Sequence, residues 1–318
     1  MPTRWTTLTE YILRDEHNIS HPTGSLTLLL NQIAEAGKII ASHVKNSGLI
    51  DIEGKTGERN IYKEEVLKLD KFSNDLLIDI LTHSGQVSAI ASEEMEKPVY
   101  VKRYAGEFVV FIDPLDGSSN IDNNNAIGTL FSVHQKHDGL LQEGRKQVAA
   151  GYLIYGSSVM FVYSCCGTVN GFTLDPSVGS FLLSHPNIRI PEEGKTYSIN
   201  EGYFELYDSA LKKFLNSLKK KDKPYKLRYV GSMTADIHRT LLKGGLFMYP
   251  SDKKNPHGKL RLMFEVNPLS LLVVRAGGLA QSGNVNPLEI KPAFLHQRVP
   301  IVLGSKEEVA KYLSFTRK

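Results

Sequence analysis

Hydrophobic positions along the chain fall into two rhythms. After Ser25, the segment LTLLLNQIAEAGKIIASHV carries Leu26, Leu29, Leu30, Ile33, Ile40 and Val44 at helical spacing. That pattern predicts a long amphipathic helix with Ser25 as its N-cap and Gly48 beyond its end. A second helix is expected over 64–82, with Val66, Leu69, Phe72, Leu76 and Ile80 as its apolar stripe, Asp70 beside the stripe and Gly85 past the C-terminus. The rhythm then becomes that of strands: VSAIAS, PVYVKRY and EFVVFID, followed by GYLIYGSSVMFVYSCCGTVNGFTLD, in which Asn170-Gly171 reads as a hairpin turn. Sheet is therefore expected across 151–183.

The composition shifts at SHPNIRIPEEG (184–194), a connection that divides the chain into an N-terminal part, 1–188, and a C-terminal part, 189–318. In the second part helices are expected over 205–218, over 232–243 before Gly244-Gly245, and from Asn267-Pro268 to Gly277-Gly278, with a strand KLRLMFE ahead of the last. Helices and strands alternate in both halves, so the fold class is α/β, with α+β layers and two sub-domains. No internal repeat interrupts this pattern.

Composition adds exclusions. With 38 basic against 34 acidic residues the net charge of +4 favours no polyanionic partner, and no stretch interleaves aromatic and basic residues as a nucleic-acid surface would. The run LKKKDKPYK (218–226) reads as a solvated helix end. No apolar run is long enough to span a membrane and the N-terminus lacks a secretory signal, so no membrane contact and a cytoplasmic location are expected. The two cysteines, Cys165 and Cys166, are adjacent, poorly placed for an unstrained mutual disulfide, and are expected as thiols in a strand.

The chemistry concentrates in FIDPLDGSSNID (111–122). Asp-Pro-x-Asp-Gly alone is a good turn sequence, but the apolar run before it makes a buried strand, so Asp113 and Asp116 are expected at a strand end, where α/β folds place ligands. Glu93 and Glu94 close VSAIA, and Glu265 closes RLMF. Carboxylates brought together from three strand ends repel unless cations or protons intervene, and an all-oxygen set without His or Cys suits Mg²⁺ or Mn²⁺. Two such ions serve phosphoryl chemistry, and backbone N–H groups of Gly117, Ser118 and Ser119 are placed to hold a phosphate. With neither a P-loop nor a GxGxxG fingerprint, hydrolysis of a phosphate ester is favoured over nucleotide-driven transfer.

FIDPLDGSSNID with the upstream SEE resembles the class I fructose-1,6-bisphosphatase family. KLDKFSND, GRKQVAAGYLIYG, INEGY, RYVGSM and MYPSDKKNPHGKLRLMFEVNP extend the likeness across nearly the whole chain. The Asp motif alone is shared with inositol monophosphatases and other lithium-sensitive phosphatases; the C-terminal segments specify the sugar bisphosphatase branch. The resemblance implies a Mg²⁺-dependent enzyme that releases the 1-phosphate of fructose 1,6-bisphosphate in gluconeogenesis by in-line attack of metal-activated water. It further implies that Glu93, Asp113, Asp116, Glu265 and the Leu115 carbonyl bind two or more ions, and that Glu94 and Asp70 orient or deprotonate the water. Asp116, Gly117, Ser118 and Ser119 would hold the 1-phosphate end, while Asn200, Tyr229, Tyr249 and Lys259 hold the 6-phosphate and sugar. Arg228 would reach across a subunit interface, implying a homo-oligomer, a tetramer by analogy.

By the same resemblance the N-terminal part corresponds to an AMP-binding domain, with Thr23, Gly24, Thr27 and Arg145 as effector contacts. Two departures bear on this: Ser25 stands where AMP-inhibited members have Glu, and Glu107-Phe108 replaces a Lys-Tyr pair, implying that AMP inhibition is weak or lost. Lys63 replaces a glycine and leaves the metal-loop role of Glu64 in question. Alternative readings keep the chemistry with sedoheptulose 1,7-bisphosphate or a wider set of phosphomonoesters, or discard it for a non-catalytic sugar-phosphate-sensing scaffold.

Overall fold

A computed structural model of the chain describes residues 5–17, 23–47, 55–59, 65–103, 106–220, 222 and 224–316. Five layers alternate. Helices α1 (Leu8–Glu16), α2 (Ser25–Lys45) and α3 (Lys68–His83) cover one face of an eight-stranded sheet. A short hairpin, β1 (Lys55–Arg59) and β2 (Glu65–Leu67), precedes α3. The large sheet consists of β3 (Val87–Ser92), β4 (Val99–Tyr100), β5 (Phe108–Asp116), β6 (Ile127–Gln135), β7 (Ala149–Tyr155), β8 (Val159–Ser164), β9 (Asn170–Asp175) and β10 (Ser180–His185), in the order β10-β9-β8-β7-β6-β5-β3-β4.

The second sheet contains β11 (Thr196–Ser198), β12 (Lys226–Leu227), β13 (Leu246–Tyr249), β15 (Leu279–Gln281) and β17 (Ile301–Gly304), while β14 (Leu260–Arg261) pairs with β16 (Arg298–Val299). Helices α5 (Met233–Lys243) and α6 (Asn267–Arg275) lie between the two sheets, and α4 (Ser209–Leu218) and α7 (Lys306–Thr316) close the far side.

Side-chain alternation explains the layering. Along β5, Phe108, Val110 and Ile112 enter the core beneath α2 and α3, whereas Val109 and Phe111 pack on Met263 and Phe264 on the opposite face. Both faces are covered, so the strand is continuously apolar rather than alternating. Helix α2 approaches so closely that a Cβ at Gly37 would displace the end of the Leu153 side chain.

Several expectations shift. Gly24, in the left-handed conformation at φ 76°, is the N-cap of α2, and Ser25 is its first helical residue; Gly48, Lys63 and Glu64 lie outside the described residues. The second helix begins at Lys68, because 65–67 pair as a strand; its deepest residues are Leu69, Leu77 and Leu81, with Phe72, Leu76 and Ile80 half-buried. PVYVKRY contributes only the pair Val99–Tyr100. Asn170-Gly171 starts β9 instead of turning the chain, since buried Asn170 accepts hydrogen bonds from Tyr11 Oη and from Asn187 N–H. The turn falls at Cys165–Gly167, so the cysteines lie just beyond β8. A 3₁₀ turn over Glu201–Leu206 precedes α4, whose N-cap is Asp208. KLRLMFE forms a strand only at Leu260–Arg261; Leu262–Val266 is a π-helical turn running into α6.

Candidate active site

The carboxylates are delivered by sheet order. Strands β3 and β5 are parallel neighbours with Ser92 opposite Ile112, and Glu93 N–H donates to the Ile112 carbonyl at 2.9 Å, so the acidic residues ending both strands emerge side by side. Asp113 lies within β5 and Asp116 is its last residue. Asp113 faces Leu130 and Asp116 faces Gly128, so β5 advances three residues while β6 advances two. This one-residue bulge turns two side chains that a regular strand would send to opposite faces toward the same side. Asp113 Oδ1 accepts the Leu115 N–H at 3.2 Å, and the Pro114 carbonyl accepts from Thr129 Oγ1 at 2.8 Å, which fixes the bulge.

Glu265 arrives from the π-helical turn. Oxygen atoms of Asp113, Asp116 and Glu265 lie within 4.8 Å of one another, all three side chains being buried. Asp116 also sits on the N-terminus of α5, accepting from Ser232 Oγ at 2.7 Å, Thr234 N–H at 2.7 Å and Met233 N–H at 3.3 Å. A helix N-terminus favours such a charge. A Cβ on the next residue, Gly117, would lie 2.5 Å from Ser232 Cβ, so that close approach needs glycine.

Burial pushes the Asp113 and Glu93 carboxyls well above their usual range, aided by the neighbouring carboxylates, Glu93 and Asp116 for Asp113 and Glu94 and Glu265 for Glu93. Glu265 is raised to about 7 by burial against the opposing pull of Arg261, and Asp116 is raised by burial despite its hydrogen bonds. Buried acids under this strain accept protons or a cation, and three converging carboxylates without soft donors fit a hard divalent ion.

Arg261 was not anticipated. Its guanidinium pairs with Glu93 and stands 3.9 Å from Glu265, whose Oε2 accepts the Arg261 N–H at 2.6 Å. The β14–β16 pairing sets Arg261 directly opposite Arg298, an arrangement of like charges that the carboxylates offset. An arginine inside the apolar run LRLMF was the available signal; Arg298 offered none. Asp236 was missed as well: it accepts from Val230 N–H at 3.0 Å and from Arg239 at 2.9 Å, shaping the loop that carries Tyr229.

One cleft joins these groups. Asp116 and Glu265 line it together with Tyr229, Tyr249, Lys259, Arg261 and Arg298. Burial raises both phenols, so they remain neutral donors, and Lys259 Nζ lies 4.6 Å from the Tyr203 ring centre. Asp70 is buried in the first turn of α3; one turn on, Asn74 Oδ1 accepts from Ser92 Oγ at 2.6 Å, docking that helix against the end of β3, just before Glu93 and Glu94. Ser118 is half-buried and Ser119 exposed, both in a 3₁₀ turn after Gly117. Asn200 caps the turn at Glu201 by accepting the Gly202 N–H, and its side chain also bonds the phenol of Tyr229 in the cleft, whereas Arg228 is exposed with Nη1 on the Leu227 carbonyl and is not part of the cleft lining. Thr23, Gly24 and Thr27 stand at the start of α2, away from the cleft, and Arg145 is exposed beside Glu143.

Carboxylates able to hold a cation, in a cleft that also carries lysine, arginine and phenols, point to a class: metal-dependent hydrolases of phosphoric monoesters. Comparison with known proteins narrows it. Models of the fructose-1-6-bisphosphatase N-terminal and C-terminal domains match residues 6–186 and 190–317. A class 1 fructose-1,6-bisphosphatase of a Sulfurihydrogenibium species is 52% identical over 316 residues, covering 98% of this chain and 97% of that one. The corresponding Persephonella marina protein is 51% identical, covering 97% of each. The crystal structure of Leishmania major fructose-1,6-bisphosphatase in holo form superposes with a TM-score of 0.94 at 37% identity, covering 99% of this chain and 100% of that one. The chain belongs to the fructose-1,6-bisphosphatase family.

Proposed function

We propose that the protein hydrolyses the 1-phosphate of fructose 1,6-bisphosphate, giving fructose 6-phosphate and phosphate, with Mg²⁺ as the working ion. The observation that carries this reading is one cleft lined both by Asp116 and Glu265 of the acidic cluster and by Lys259, Tyr229 and Tyr249. One end suits a cation with a reacting phosphate, the other a second phosphate that never reacts and whose binding positions the first. Glu93, Asp113, Asp116, Glu265 and the Leu115 carbonyl are the proposed ligands. When bound, Mg²⁺ neutralises phosphoryl oxygens and makes the attacking water more acidic.

The chain's own residues do the rest. Glu94 and Asp70, carried by the docked end of β3 and by α3, orient a water in line with the leaving sugar oxygen and take its proton. Gly117, Ser118 and Ser119 hold the reacting phosphate beside Asp116. Lys259, Tyr229 and Tyr249, with Asn200, hold the distal phosphate and the sugar. Arg228, exposed on this chain, is assigned to a neighbouring subunit's site in a homotetramer. The proposed division at 188/189 draws support from family models that match 6–186 and 190–317. Two free thiols suit a cytoplasmic setting, and among the described residues no helix is long and apolar enough to cross a membrane.

The test is phosphate release from fructose 1,6-bisphosphate, sedoheptulose 1,7-bisphosphate and inositol 1-phosphate, each with Mg²⁺ and with chelator. Fructose 1,6-bisphosphate is expected to be the best substrate, with turnover lost on chelation. Inositol 1-phosphate as the preferred substrate would overturn the assignment of the C-terminal residues, and binding without turnover would indicate a sensing scaffold.

A further inference from the structure

Away from the cleft, a second group of ligating atoms collects where the end of α1 meets the turn after β8. In an extended strand, adjacent side chains point to opposite faces. Cys165 and Cys166 stand instead on the bend before Gly167, whose φ is 92°, and their Sγ atoms lie 3.4 Å apart on one side of the chain. Asp15 Oδ2 is 3.6 Å from Cys165 Sγ, and one ligand atom from each of the three residues falls within 4.8 Å of the others. Tyr163 Oη donates to the same Asp15 oxygen at 3.2 Å, which fixes the carboxylate, and the Asp15 carbonyl accepts from Cys166 at 3.2 Å.

We infer that Asp15, Cys165 and Cys166 form a binding site for a thiophilic divalent cation of the zinc type. Tetrahedral zinc, with Zn–S near 2.3 Å and Zn–O near 2.1 Å, sets S···S at about 3.8 Å and S···O at about 3.6 Å. Cys165 Sγ and Asp15 Oδ2 already stand at that separation, and the two sulfurs, 3.4 Å apart, need open only slightly. Three protein ligands leave a fourth position, and exposed Cys166 opens it to solvent. Charge also balances. Two thiolates and a carboxylate carry three negative charges, which a divalent ion and the nearby Arg275 guanidinium, bonded to Ser164 Oγ at 3.1 Å and the Cys165 carbonyl at 3.2 Å, together offset. An ion here ties α1 to the β8–β9 turn, so its effect is to hold the N-terminal helix on the sheet edge.

The chain has only two cysteines, so any thiol signal reports this site and not the carboxylate cleft. Reduced protein freed of thiophilic metals and held in excess Mg²⁺ is titrated with Cd²⁺ while the thiolate-to-metal absorption in the ultraviolet is followed. One equivalent per chain is expected, with the band absent in the Cys165→Ser, Cys166→Ser double variant. Asp15→Asn should weaken binding at least about tenfold, the loss that even an outer partner of a metal site brings. Because variants can misfold, the unmodified protein gives a second readout: Zn²⁺ should slow modification of Cys166 by a thiol reagent. A missing band, a band of unchanged affinity in Asp15→Asn, or thiols that react equally fast with and without Zn²⁺ would each overturn the site.

Discussion

Ser232 Oγ donates to Asp116 Oδ2 across 2.7 Å while accepting the Ala235 N–H at 3.3 Å, so one hydroxyl caps α5 and anchors a carboxylate from the other half of the chain. Ser232→Ala removes a cap worth about 1 kcal/mol and a buried bond to a charged group worth roughly 1.5–3 kcal/mol. The urea midpoint should fall accordingly, and kcat should fall with it while KM for the bisphosphate stays near its original value. An unchanged kcat would mean that the orientation of Asp116 is immaterial to turnover.

Asp113 is buried among other carboxylates, so its charge costs the metal-free protein stability. Asp113→Asn should therefore lower turnover by several decades yet raise the melting temperature of the chelator-treated protein, and it should abolish the stabilisation that Mg²⁺ gives. Calorimetry with and without Mg²⁺ reads both effects. A metal-free variant less stable than the parent would contradict the electrostatic account of the cluster.

Arg261 has the opposite role in the same cluster. Replacing it by Met leaves Glu93 and Glu265 without their guanidinium, a loss of roughly 3–5 kcal/mol for breaking a buried pair. Chemical denaturation in chelator should show most of that loss, and a divalent ion should restore part of it. Equal losses under both conditions would argue that arginine and metal do not share the same charges.

Lys259, near the Tyr203 ring in the cleft lining, is assigned to the phosphate that does not react. Lys259→Ala should raise KM by about tenfold or more and leave kcat within a few-fold, as expected for an interaction present equally in ground and transition states. Steady-state rates on fructose 1,6-bisphosphate decide it, and a fall confined to kcat would move Lys259 into the reacting end.

Burial lowers the pKa of His134 and of His238 to about 4 each. The unfolded chain binds their protons near pH 6.5 and the folded chain does not, so stability is full above that pH and declines as pH falls toward 4. Each histidine should cost about 2 kcal/mol between pH 7 and pH 5. Gln142 and Asp138 oppose the shift at His134, and His185 adds to it at His238, which also shares a 2.8 Å bond with Tyr152 Oη. In urea melts at the two pH values, His134→Gln should shrink the difference; an unaltered difference would show that His134 is protonated in the folded state.

At the start of α2, the Glu16 carboxylate already accepts both the Thr27 N–H, at 3.1 Å, and the Thr27 hydroxyl. An anion of the chain itself thus occupies a donor expected for an effector phosphate. AMP at about 1 mM, the weak end of specific binding, should leave the rate nearly unchanged. Strong inhibition at micromolar AMP would show that Glu16 swings away.

Much of this architecture was legible in spacing. The helices over 25–45 and 233–243 follow from apolar periodicity with a stop signal, and β5 from an unbroken run of large apolar residues. Boundaries moved where a neighbour outbid local preference: Asn170-Gly171 is a turn sequence, yet its side chain is consumed by Tyr11 and Asn187, so the pair begins a strand. The strand expected through Glu265 became a π-helical turn, and nothing in KLRLMFE distinguishes the two.

The sequence by itself determined which carboxylates are available and that each follows or ends an apolar segment, because those properties depend on residue type and on neighbours a few positions away. It did not determine that they meet. Glu93 stands beside Asp113 because β3 and β5 pair in parallel, Asp113 and Asp116 share a face because β5 carries one residue more than β6, and Arg261 enters the cluster because β14 pairs with β16. Each of these is a long-range hydrogen-bond register, chosen by which faces can be buried together, and burial of that kind belongs to the folded chain as a whole.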